Sequence, residues 1–162
     1  MVILPSILAT AAVLVLLLSF YIPRWTSDTI YKVALSKLKG DINSAWRIFR
    51  DSGGDRVRIE NGKMIIGANT VVNDNYTIVD EIQKELGITA TVFQRDGDDF
   101  RRISTNIMKK DGTRTVGTYL GKNSAAYEPV INGKTYIGEA KILGVPYLTA
   151  YSPIFNSSNK II

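Results

Sequence analysis

The chain has 162 residues, enough for one ordinary domain and one short apolar element besides, and not for a second full domain. It is 45% hydrophobic and 22% charged, the balance of a globular protein rather than a disordered or fibrous one. It contains neither Cys nor His, which excludes disulfides, thiolate zinc sites, thiol nucleophiles and an imidazole general base together, and the net charge of +5 is spread among interleaved acidic and basic residues. No stretch alternates aromatics with a Lys/Arg stripe, so no nucleic-acid partner is expected.

In chain order, the first feature is an uncharged stretch from Met1 to Pro23, with Ile7 to Ile22 almost wholly aliphatic or aromatic. At about 1.5 Å per residue such a helix can cross a hydrocarbon core of about 30 Å. Tyr21, Arg24 and Trp25 supply the interfacial aromatics and charge expected at a membrane edge. The alternative, a cleavable signal peptide, lacks its basic n-region here. Residues 1–25 are therefore expected to be a retained transmembrane anchor. The positive-inside rule does not orient it, because Arg24 follows the stretch and no cation precedes it.

From 26 to 52 the positions Tyr31, Leu35, Leu38, Ile42, Ala45 and Phe49 recur at steps of four and three, which predicts a long amphipathic helix. Val33, Trp46 and Ile48 fall off that seam, so two apolar faces are expected, one for the chain's own sheet and one for a second copy. A helix that only covers its own core remains the alternative. Gly40 weakens its middle by about 1 kcal/mol relative to Ala, where a bend is expected. Ser52-Gly53-Gly54 is a C-terminal stop.

Val57–Glu60 and Lys63–Ile66 flank Asn61-Gly62, a strong hairpin signal. Helical spacing of Ile78, Val79, Ile82 and Leu86 follows, with Asn75 as the expected N-cap and Gly87 as the stop. Ile88–Arg95, Phe100–Met108, Tyr136–Leu143 and Tyr147–Phe155 read as strands, with Asp111-Gly112 and Asn132-Gly133 as turns. The order is α+β: an N-terminal transmembrane helix, a long helix, then a PAS-like antiparallel sheet with flanking helices over 53–162. Gly117–Gly121 lacks the Gly-Lys-Ser/Thr ending of a phosphate loop, and Asp96, Asp98 and Asp99 lack the later Glu of a calcium loop. No metal, cofactor or catalytic group is expected.

Ile88–Phe93, Phe100–Ile107, Asp111–Thr118, Tyr136–Ala140 and Tyr147–Ile154, five motifs in one order, closely resemble the single-Cache sensor domains (Cache_3/Cache_2 type) of bacterial methyl-accepting chemotaxis proteins and sensor kinases. The resemblance implies extracytoplasmic sensing of a small molecule, an inner-membrane location with a single pass, a periplasmic or extracellular C-terminal domain, and a homodimer or higher homo-oligomer through the 28–51 helix. Such domains continue past the aromatic strand into a further central strand and a second membrane helix, whereas this sequence reads to Asn159-Lys-Ile-Ile162. A receptor fragment and a short protein that retains the sensor fold are both open, and a strand position in the sheet is expected to be unfilled. The competing class is a pilin-like filament subunit assembling through its apolar helix, although the processing site and early acidic residue of pilins are missing.

For the site, strand alternation puts Arg102, Ser104 and Asn106 on one face. A guanidinium is a fork of donors suited to a carboxylate, and the resemblance to small-carboxylate sensors makes Arg102 the expected anion anchor. A surface pair with Asp98 or Asp99 is its alternative. Tyr136, Tyr147, Thr149 and Tyr151 offer hydroxyls to the same pocket, although a Tyr that half-fills the core with its hydroxyl in water is the commoner arrangement for any one of them.

Overall fold

The structure, a computed structural model, describes residues 4–54 and 56–162, with side chains from residue 28 onward. The expected anchor, 1–25, lies outside the residues whose side chains are described. Among the described residues no helix is long and apolar enough to cross a membrane.

The elements are α1 (Leu4–Asp51), β1 (Val57–Glu60), β2 (Lys63–Ile66), β3 (Thr70–Val71), α2 (Thr77–Leu86), β4 (Thr91–Asp96), β5 (Asp99–Thr105), α3 (Tyr127–Ile131), β6 (Tyr136–Ile142) and β7 (Val145–Tyr151). The chain divides into two units, Met1–Lys37 and Leu38–Ile162. In the first, Ile30, Tyr31 and Val33 are exposed. All the strands belong to the second, and every pairing among them is antiparallel.

α1 runs through Gly40 as one element, so the glycine's cost in propensity does not interrupt it. Both apolar faces near its C-terminal end are used internally: Ala45 and Phe49 from the seam, and Trp46 and Ile48 from outside it, pack on the same core. Ser52 Oγ donates back to the Ile48 carbonyl at 2.8 Å as the helix ends. Gly67 then passes so close to this end that a Cβ on it would stand 1.5 Å from the Gly53 carbonyl oxygen, and its φ of 58° is left-handed as well. Asn61 and Gly62 both take positive φ, 50° and 75°, the requirement of the tight turn that joins β1 to β2.

α2 begins one residue later than the sequence suggests. Its N-cap is Tyr76, with no side-chain cap bond, while Asn75 Oδ1 accepts from the Thr77 amide at 3.1 Å and so still serves the first turn. Gly87 closes it in the left-handed conformation, its N–H reaching the Gln83 carbonyl. Ile78, Val79 and Ile82 pack with Phe49, Met64, Ile66, Val92 and Ile103 in the larger core. Full burial of one such side chain stabilises by about 1.5–3 kcal/mol.

β4 and β5 pair from Thr91↔Thr105 to Asp96↔Asp99, with a register shift between Val92 and Phe93. Phe93 opposes Arg102 and Val92 opposes Ser104, which leaves Ile103 as the extra residue of a bulge. Val92 and Ile103 belong to the core under α1 and α2, whereas Phe93 packs with Phe100, Tyr127 and Val130 on a second core. Cross-strand partners share a face, so Arg102 and Ser104 point to opposite faces. This corrects the expected alternation: a period of two cannot register the inserted residue.

The far edge of β5 is covered by the segment after Thr115, through Arg102 N–H to the Thr118 carbonyl (2.7 Å), Gly117 N–H to the Arg102 carbonyl (2.9 Å) and Leu120 N–H to the Phe100 carbonyl (2.9 Å). β6 and β7 form a separate two-stranded sheet. Beyond β7 the chain folds back on itself, with a bridge between Phe155 and Ile161 and a bond from Ile162 N–H to the Ile154 carbonyl.

Candidate functional site

A half-open cavity of about 350 Å³ is formed within the Leu38–Ile162 unit, bordered by β4, β5, β7, the last turns of α1 and residues 161–162. Among the described residues, Arg102 is the sole one with a charged side chain that lines it. The rest of its wall is apolar or aromatic, with Thr and Ser hydroxyls at intervals.

Arg102 reaches this position because β5 carries it to the face where Phe93 and Tyr151 lie. The residue is 5% exposed, and its guanidinium carbon sits 5.1 Å from the centre of the Phe93 ring. Nη1 donates to Thr118 Oγ1 at 2.6 Å, while Nε is buried with no hydrogen-bond partner. Asp98 and Asp99, the expected surface partners, are occupied elsewhere. Asp98 pairs with Lys122, and Asp99 Oδ1 accepts from the Phe100 and Gly121 amides. Arg102 thus has no carboxylate counter-ion among the described residues. Burial is the main reason its guanidinium is held below the usual arginine range, and the neighbouring Tyr151 acts in the opposite sense.

The other sequence-derived site residues divide into three groups. Thr149 and Tyr151 border the cavity with Arg102, as does the more exposed Tyr147. Thr149 Oγ1 donates to the Gly138 carbonyl at 3.0 Å. The Tyr151 ring is 6.2 Å from Phe93, and its phenol is pushed above the usual tyrosine range, chiefly by burial, with Arg102 partly offsetting this.

Tyr136 stands behind them. Its ring is 6.4 Å from Tyr151, and its hydroxyl donates to the Glu139 carbonyl at 2.6 Å. Gly138 permits this, since a Cβ there would stand 2.8 Å from the Tyr136 hydroxyl.

Ser104 and Asn106 are engaged inside the fold. Ser104 Oγ donates to the Asn75 carbonyl at 2.7 Å. Asn106 Nδ2 donates to the Val79 carbonyl at 2.7 Å, and its Oδ1 accepts from the Ala90 amide at 2.8 Å. These bonds tie β5 to the turn before α2, and the residue after β5 to α2 and to the residue before β4.

Two neighbours of the guanidinium escaped the sequence reading as site residues. Phe93 belongs to a quoted motif, and its cross-strand partnership with Arg102 follows once the bulge is placed. Thr118 also ends one of the five motifs, but nothing local relates it to Arg102, because it is brought there by a return of the chain over sixteen residues.

Residues 28–162 match the family model of the Cache 3/Cache 2 fusion domain. The chain belongs to that family. No curated protein and no solved structure matches it. Cache domains bind small molecules, in signalling proteins whose sensor part is typically extracytoplasmic, and they are ligand-binding rather than catalytic modules. For a Cache domain, a mostly apolar cavity with a few polar groups has the character of a binding site, and its volume is at the lower end of the about 300–1,000 Å³ common for small ligands.

Proposed function

We propose that this Cache domain senses a small organic anion and passes the signal on as part of a membrane-anchored, extracytoplasmic receptor, in chemotaxis or a related signalling pathway. One observation carries the reading: Arg102 is a buried cation beside a cavity, with an unpartnered Nε and no carboxylate among the described residues to neutralise it. Burying a charge without a partner is costly, so an anionic ligand that meets it restores an interaction the free fold lacks. Arg102 is the anchor, with Thr149, Tyr151 and Tyr147 contributing hydroxyls to the wall. Tyr136 supports Tyr151 from behind, and Ser104 and Asn106 keep β5 in place.

Residues 1–25 serve as the single membrane pass, with 26–52 as the connecting helix and 53–162 as the sensor. The exposed Ile30, Tyr31 and Val33 support a homodimer or higher oligomer through the 28–51 helix. The decisive experiment is a thermal-shift screen of the full chain against carboxylates, amino acids and purines, repeated with Arg102→Ala on the best hit. Truncating one partner of a buried charged pair costs about 2–5 kcal/mol of binding. An Arg102→Ala protein that bound the hit as tightly as the parent would refute the assignment.

A further inference from the structure

Asn-Gly occurs twice in the chain, at Asn61-Gly62 and Asn132-Gly133, and each Asn is exposed. The fold treats them differently. Asn132 Nδ2 donates to the Glu128 carbonyl at 2.8 Å, and the Gly133 N–H donates to the Val130 carbonyl at 3.0 Å. A Cβ on Gly133 would also stand 3.5 Å from the Phe155 ring. The side-chain amide and the backbone nitrogen after it are thus both held. At the tip of the β1–β2 hairpin, neither the Asn61 side chain nor the Gly62 N–H has a hydrogen bond among the described residues, and a Cβ on Gly62 would meet nothing within 4 Å.

We propose that Asn61 is a site of spontaneous deamidation, converting to aspartate and isoaspartate, while the fold protects Asn132. The Gly62 nitrogen attacks Asn61 Cγ, forming an N–C bond as it gives up its proton, and the side-chain nitrogen leaves as ammonia. Water then opens the cyclic imide at either carbonyl. Ring closure is intramolecular, so it depends on both groups being free to approach, and a glycine leaves its nitrogen unshielded.

The consequence reaches beyond the turn. The Gly62 carbonyl accepts from Gln94 Nε2 at 3.0 Å, Gln94 Oε1 accepts from Asn73 Nδ2 at 3.2 Å, and Asn73 Oδ1 accepts from the Met64 amide at 2.7 Å. This polar chain joins the hairpin to β4. Opening the imide at its α-carbonyl routes the backbone through Cγ and adds a methylene, which a tight turn with positive φ at both positions cannot absorb. Isoaspartate at 61 therefore uncouples the hairpin from β4, whereas aspartate suits the same turn.

The full chain incubated at mildly alkaline pH, native and in urea, tests this when both pairs are mapped by mass spectrometry with fragmentation that separates isoaspartate from aspartate. In urea the two should convert at similar rates. In the native chain Asn61 should convert faster than Asn132 by about tenfold or more, the equivalent of about 1.4 kcal/mol, because the Asn132 pair must first break its hydrogen bonds. Hydrogen exchange at the Met64 amide should rise in the aged parent and hold steady in Asn61→Gly, whose Gly-Gly turn keeps the geometry and cannot form the imide. Equal native rates at the two pairs, or a native Asn61 that stays intact while the unfolded chain converts, would overturn the proposal. Isoaspartate at 61 with unchanged exchange at Met64 would overturn the uncoupling from β4.

Discussion

Arg102 and Phe93 are cross-strand partners at the β4–β5 bulge, and the guanidinium carbon lies 5.1 Å from the Phe93 ring centre. The aromatic face and the side-chain bond to Thr118 are the compensation the buried cation receives among the described residues. Phe93→Leu keeps the apolar volume near its original size and removes the ring. It should lower stability by about 1–2 kcal/mol and weaken anion binding as the guanidinium loses its fixed position. Urea unfolding and ligand titration of the same variant test both effects, and unchanged affinity would mean that the ring does not position Arg102.

Replacing Arg102 by Met should separate stability from binding. The variant removes a buried charge that has no counter-ion, and keeps a long apolar stem in the same space. The ligand-free protein should be as stable as the parent or more so, while anion binding is lost. A loss of more than about 2 kcal/mol in stability would show that Thr118 and Phe93 already compensate the charge, and that no ligand is needed to do so.

Arg114 fixes the chain that covers β5. It meets Asp80 of α2 through two bonds of 2.8 and 3.0 Å, donates to the Thr105 carbonyl at 2.8 Å, and lies 4.3 Å over the Tyr76 ring. An exposed ion pair alone contributes about 0–1 kcal/mol, but a bidentate fork with a backbone bond and an aromatic face should contribute more. Arg114→Lys cannot reproduce the fork, and is expected to lose about 1–2 kcal/mol in chemical denaturation. The position lies outside the cavity wall, so affinity should change less than stability.

How far the fold could be read in advance depended on whether its signals were local. The β1–β2 hairpin was legible because Asn61-Gly62 must take positive φ, and α2 because its apolar residues repeat along one face and Gly87 stops it. α3 was missed: five residues with Pro129 inside are too short for a helical period to emerge. β3 is two residues long and equally silent. Arg102 was found from the chemistry of its side chain, but Ser104 and Asn106 were grouped with it by an alternation that the bulge at Val92/Phe93 breaks. Their partners, the carbonyls of Asn75 and Val79, lie almost thirty residues away and left no trace near them in the sequence.

The pH response follows from two groups at the cavity. Tyr151 is held above its ordinary value, chiefly by burial, so the folded state keeps the phenolic proton more tightly than the unfolded chain does. Its stabilising effect is complete below the unfolded value of about 10, and is lost as pH rises through the folded one. Arg102 is shifted down by burial, so its proton is held less tightly in the folded state, which gives a slope of opposite sign as pH rises through that lowered value. The contribution of Tyr151 is isolated by comparing Tyr151→Phe with the parent: the variant should lose less stability between about pH 8 and pH 11. Binding of a carboxylate ligand should weaken as pH falls through about 4, when its carboxylate protonates. Alkaline loss of equal size in parent and variant would show that Tyr151 is not the group responsible.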